Sequence, residues 1–185
     1  MPPVRNAAAT RERLLACARK RFLSESYENV GLREIAADAD VDVALVGRYF
    51  GSKEQLFKEV LRKDGDWEKL AVEANDLPAF LADLSVSKGA SDSESHLERI
   101  LIMLRSASSP QASALVRASV GQDVLEPLAR MLSGPDAQLR AALALSVLIG
   151  TTVMRTVMRV DVVPECDAVK FRNALEVVLR AALTS

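Results

Sequence analysis

A short run of residues, Arg48, Tyr49 and Lys53, carries side chains suited to nucleic acid, and Arg11 lies upstream of it. An arginine on an exposed helix face can donate two parallel hydrogen bonds to guanine, and Ala44 or Leu45 beside it can touch a thymine methyl. Lys53 stands where a helix is expected to begin, so its charge adds to the positive end of the helix dipole and favours phosphate. The same argument applies to Arg11 if the first helix opens there. Gly31 precedes a further expected helix, where a residue without a side chain lets a phosphate approach the first amides, beginning with that of Leu32. Other chemistry is poorly supplied. There is one histidine, His96, and two widely separated cysteines, Cys17 and Cys166. No pair has metal-ligand spacing, and neither a nucleophile elbow nor a phosphate-binding glycine loop occurs. No catalytic residue, metal or cofactor is expected.

The elements that must position these side chains lie in residues 31–57. Leu32, Ile35, Ala36 and Ala39 recur at helical spacing and form one inner face. Val41 falls in a tight turn. Val46 and Phe50 are four apart and share a face of a second helix, N-capped by Asp42. With that face inward, Ala44 and Arg48 point away from the core, flanked by Leu45 and Gly47, and Tyr49 lies at the inner edge with a ring long enough to reach a phosphate. Val43 opens this helix. Ser52 followed by Gln55 reads as a capping box that starts a third helix near Lys53. Two short helices joined by a turn of a few residues match the helix-turn-helix pattern, whose second helix enters the major groove.

At these residues the chain resembles the DNA-binding domain of the tetracycline-repressor (TetR) family. The matching segments are TRERLLACARKRFLSESYENV from Thr10, then REIA, ADADVDV and RYFGSKEQLF, ending near Lys63. The resemblance covers about the first third of the chain. It implies a ligand-responsive regulator with a reading head, a connecting fourth helix and a regulatory body. Four positions depart from the family pattern. Ser26 replaces a glycine before Tyr27, and Gly31 replaces a threonine or serine whose hydroxyl contacts the DNA backbone. Asp40 replaces a glycine in the turn, and Gly47 replaces a tyrosine.

The remaining chain reads as helical throughout, so the fold expected is all-α with about nine helices. The expected division is a helix-turn-helix head at 1–53, a connecting helix at about 53–63, and a body at 64–185 for ligand binding and dimerisation. Residues 1–9 read as a disordered tail or a basic arm, and the first helix as 11–24 with Thr10 as its N-cap. A helix at 66–84 breaks near 76–78, and residues 85–93 form a loop. Helices follow at 94–106, at 111–132 with bends at Gly121 and Pro127, at 137–159 and at 168–183. Ser133 to Asp136 ends one of these and caps the next. The helix at 137–159 is apolar nearly all round, and the apolar stretch inside it is too short to span a bilayer. The apolar surplus on the last two helices suggests a partner, most simply a second copy forming a four-helix bundle.

Charge is unevenly distributed. Residues 1–63 carry a balance of +3 and the remainder −4, within a net charge of −1. A mildly basic head on an acidic body fits DNA binding by one end only, and argues against a basic coat protein. The expected partners are a double-stranded DNA operator, a second copy and a small-molecule effector, with no membrane and a cytoplasmic location. Candidate effector-lining residues are Leu61, Trp67, Phe80, Leu101, Met103, Leu104, Val120, Val124, Leu148, Thr151, Thr152 and Arg155. They would suit an apolar or amphipathic molecule. Two rival readings are a helical scaffold that has lost DNA binding and a redox sensor using Cys17 or Cys166.

Overall fold

A computed structural model describes residues 4–62, 71–86, 90–160 and 167–184. Its helices are α1 (Val4–Ser24), α2 (Leu32–Asp38), α3 (Val43–Phe50), α4 (Lys53–Leu61), α5 (Leu77–Val86), α6 (Ala90–Ser106), α7 (Pro110–Val120), α8 (Glu126–Arg130), α9 (Ala137–Thr152) and α10 (Ala168–Leu183). Two π-helical segments, Gly121–Leu125 and Val153–Val157, continue α7 and α9. No strand occurs among the described residues.

The chain forms two compact units. The head unit is 1–62 with 98–119, and the body unit is 63–97 with 120–185. The expected division had placed residues 98–119 with the body. Residues 98–119 pack with the head because Ile102 and Ala112 enter its core, and Met103, Leu115 and Val116 cover it. An apolar helix face shows which positions are buried, but not which core receives them.

In the head, Leu14, Ala18 and Phe22 of α1 are fully buried, as their spacing predicts. Phe22, Tyr27 and Phe57 form an aromatic cluster, with Phe57 edge-on to both others at 4.9 Å between centroids. This cluster joins α1, the following turn and α4. The first helix begins earlier than expected. Ala7, Ala8 and Ala9 are strong helix formers and carry it back to Val4, so Thr10 lies inside α1 rather than capping it.

In the body, Leu81 and Ala82 of α5, Leu128 of α8, Ala141 and Ala144 of α9, and Leu175, Leu179 and Leu183 of α10 make the core. Asp76 opens α5: its carboxylate accepts from Ala79 N at 3.3 Å, and its carbonyl from Phe80 N at 2.9 Å. The break near 76–78 thus appears as expected. The loop at 85–93 is shorter than expected, since α5 continues to Val86 and α6 begins at Ala90.

Pro127 lacks an amide hydrogen, and its ring would meet the carbonyl one turn back. The wider turn at Gly121–Leu125 relieves this without ending the helix. Asp136 is the N-cap residue of α9, as expected, though its side chain makes no capping hydrogen bond. It adopts φ +55°, and its backbone carbonyl accepts from Arg140 N. The buried Arg140 guanidinium instead ties the chain there, donating to Leu183 O at 2.9 Å and to Ser133 O.

The apolar helix expected at 137–159 forms nearly to its full length. Ala137–Val157 runs unbroken for 21 residues and is long and apolar enough to cross a membrane by length and composition. Thr151 and Thr152 do not interrupt it, because their hydroxyls donate back to the carbonyls of Val147 and Leu148 at 2.8 Å. Its burial within this chain is slight. Leu139, Leu143, Val157 and Met158 stay exposed, as do Val169, Val177 and Val178 on α10.

Candidate nucleic-acid interface

The head places α2 and α3 around a tight turn. Ile35, Ala36 and Ala39 are buried, and Val41 packs against the same core. Val41 N donates to Ala36 O at 3.0 Å, and Asp40 takes φ +51°. Aspartate tolerates this left-handed conformation better than most residues, so the turn closes without the family's glycine. Asp42 Oδ1 then accepts from Ala44 N at 2.7 Å and starts α3. Gly51, at φ +78°, ends it. Ser52 Oγ accepts from Gln55 N at 3.2 Å and starts α4.

Val46 and Phe50 hold α3 to the core, which sets the direction of every other side chain on it. Val43, Ala44, Gly47 and Arg48 are exposed, and Leu45 and Tyr49 are half-buried. No hydrogen bond or ion pair engages Arg48 among the described residues. A Cβ built on Gly47 would meet no atom within 4 Å, so its surface is open.

The other candidates are more engaged. Gly31 N donates to Glu34 Oε2 at 3.1 Å, so the helix's own carboxylate folds back beside the position expected for a phosphate. Leu32 is half-buried against the head core. Lys53 opens α4 as expected, but its ammonium lies 4.5 Å from the centre of the Tyr27 ring and 3.4 Å from Glu28 O. Burial there lowers its pKa, with the nearby glutamates opposing. Burial also pushes Tyr27 up to about 12. Arg11 sits inside α1, so the helix-terminus argument for it does not hold. Its guanidinium is 3.0 Å from Glu59 Oε2 and 5.0 Å above the Phe50 ring.

Arg21 of α1 is likewise engaged within the head. It grips Asp38 with two hydrogen bonds, at 2.5 and 2.8 Å, and thereby ties α1 to α2. Arg33 was missed. It is exposed on the first turn of α2, and its signal was its place outside the Leu32, Ile35 and Ala36 stripe.

The described effector candidates are divided between the two units. Leu61 and Met103 belong to the head core, while Leu101 is half-buried and Leu104 exposed. Phe80, Val124 and Leu148 pack against the body core, with Val120 half-buried. Arg155 donates to Ser85 O at 3.3 Å and stacks 4.3 Å from the Phe171 ring. Trp67 and Cys166 lie outside the described residues. Cys17 is a half-buried free thiol. Among the described residues no group of three or more His, Cys, Asp or Glu could hold a metal ion.

Two family profiles match the chain. "Bacterial regulatory proteins, tetR family" covers residues 14–60. "Tetracyclin repressor-like, C-terminal domain" covers residues 87–183, just over half the chain. A TetR-family regulator from Streptomyces coelicolor A3 is 26% identical, with TM-score 0.62 over 100% of this chain and 99% of that one. Salmonella enterica GusR is 17% identical, with TM-score 0.68 over 100% and 98%. NalD, the secondary repressor of the MexAB-OprM multidrug efflux pump in Pseudomonas aeruginosa, is 17% identical, with TM-score 0.68 over 92% and 95%. Among curated proteins none is significantly similar in sequence. With the head profile lying on the helix-turn-helix and the C-terminal profile, after it in sequence, on more than half of the chain, the chain belongs to the tetracycline-repressor family of transcriptional regulators.

Proposed function

We propose that this protein is a cytoplasmic, ligand-responsive repressor that binds a pseudo-palindromic operator as a dimer. The observation that carries this reading is the exposed face of α3, where Arg48 has no partner among the described residues and Val46 and Phe50 anchor the opposite side. Arg48 reads guanine, and Ala44 and Leu45 contact thymine methyls. Val43, Gly47 and Tyr49 lie against the backbone, joined by Lys53 at the start of α4 and by the first turn of α2 at Gly31 and Leu32. Most of the affinity comes from phosphate contacts and the specificity from the few base contacts.

The exposed apolar residues of α9 and α10 support a second copy as partner rather than a bilayer. The long helix carries Arg140 and Arg155, and one side of it is already packed on α10. Two heads so paired would read half-sites about 34 Å apart or somewhat more. An apolar or amphipathic effector held by the body, near Phe80, Val124, Leu148 and Arg155, would favour a conformer with wrongly spaced heads. It can do so only by binding that conformer better than the DNA-competent one. SmeT, a structural neighbour 20% identical, has been solved as a complex with triclosan.

Selection of bound duplexes from a random library at near-physiological salt tests the reading. An enriched inverted repeat supports it. Recovery of no motif by folded protein would overturn operator binding and favour a scaffold role.

A further inference from the structure

We infer that Arg11 is a positioning residue for the recognition helix and not a phosphate ligand, an inference that rests on the DNA-binding reading above. Three observations converge on its guanidinium. It arises from the interior of α1, where no free helix amides reinforce its charge. Its Nη2 lies 3.0 Å from Glu59 Oε2, near the end of α4. Its Cζ lies over the ring of Phe50, the last residue of α3, at 5.0 Å from the centroid. One cation thus touches α1, α3 and α4 together. Phe50 is itself in the head core, so the tilt of α3 follows the seat of that ring.

The stability involved is small. A half-exposed ion pair and one cation–π contact are each weak because water screens them. The geometric consequence is larger. Base-reading side chains must be held to within about 0.5 Å to bond well, and Arg48 and Phe50 lie on the same short helix. Arg21 does comparable work between α1 and α2 through Asp38, so the head has an ionic tie on each side of the helix-turn-helix.

The sign of a Glu59 substitution separates this role from the alternatives. If Arg11 bound phosphate, Glu59→Gln would free it and remove a negative charge, and DNA affinity would rise. If the pair were only structural, affinity of the folded protein would not change. The positioning role requires affinity to fall on Glu59→Gln, by about three- to tenfold, and on Arg11→Ala by a similar factor. The double variant should lose little more than either single one. The exchange Arg11→Glu with Glu59→Arg should recover part of the loss. The log–log salt slope should stay as in the wild type, whereas loss of a phosphate ligand would shallow it by about 0.9. Melting and circular dichroism on each variant establish that it is folded, and Arg11→Lys serves if Arg11→Ala does not fold. A rise in affinity with Glu59→Gln, no change in affinity, or a shallower slope with Arg11→Ala overturns the inference. Absence of selective binding by the wild type would instead overturn the DNA-binding reading.

Discussion

Arg48 and Lys53 were both basic candidates in the sequence, and their surroundings now separate them. Arg48 is exposed without a partner among the described residues, while Lys53 is tethered lightly between Tyr27 and Glu28. Arg48→Ala should therefore relax the preference at one base pair per half-site and cost about 1–3 kcal/mol in binding. Lys53→Ala should weaken binding to all sequences alike and shallow the salt slope by about 0.9. Competition titrations against single-base operator variants at several salt concentrations check both. Identical behaviour of the two variants would count against dividing reading from anchoring in this way. That α3 turns Arg48 outward was legible from the Val46 and Phe50 spacing. That Arg11 turns inward to Glu59 was not, because the partner lies 48 residues away.

At the scale of the element, the turn between α2 and α3 and the helix after it each carry a local cost. Asp40 holds φ +51°. Asp40→Gly should be neutral or stabilising, and Asp40→Val should cost about 1–2 kcal/mol. Gly47 sits on an exposed helix face with open space around it, so Gly47→Ala should raise stability by about 1 kcal/mol. Denaturant midpoints at constant slope are the appropriate measure. In the body, α5 and α10 are laced by ion pairs. Arg172 grips Asp83 and Glu176, and Arg180 grips Asp76 and Glu176. Hydrogen bonds from Arg180 hold Asp76 and Glu176 below the ordinary carboxylate range, and those from Arg172 do the same for Asp83. Because the folded values are depressed, this contribution is present above about pH 4 and is lost as pH falls through the folded values below it. The melting-temperature gap between wild type and the paired variant Arg172→Met, Arg180→Met should accordingly be open at pH 7 and close in acid. A gap that persists at pH 2 would mean the arginines act through packing of their stems.

For the whole molecule, the decisive quantity is the apolar surface left on α9 and α10. Leu139 and Leu143 are each more than half exposed, and Val169 and Val177 about two-thirds exposed. A surface of this kind is costly in water unless another surface covers it. Light scattering at micromolar concentration is expected to find a dimer. Leu143→Glu should shift it to monomer and weaken operator binding by far more than any single α3 substitution, since the two heads then bind independently. A wild-type monomer at that concentration would leave the apolar face without its proposed partner.

Short-range physics decided what the sequence alone could determine. Helical periodicity, the Asp42 and Ser52 caps and the inner face of the helix-turn-helix depend on residues within a few positions of one another, and all appear as expected. The same locality explains the misreadings. A cap at Thr10 looked reasonable until the alanines before it proved helical. Only the tertiary structure could decide that residues 98–119 complete the head, that Arg140 seals two helix ends, and that Arg11 meets Glu59 over Phe50. These facts depend on which surfaces meet after the chain has folded. A face's hydrophobicity shows that it will be covered, and its partner is selected by packing across the whole molecule.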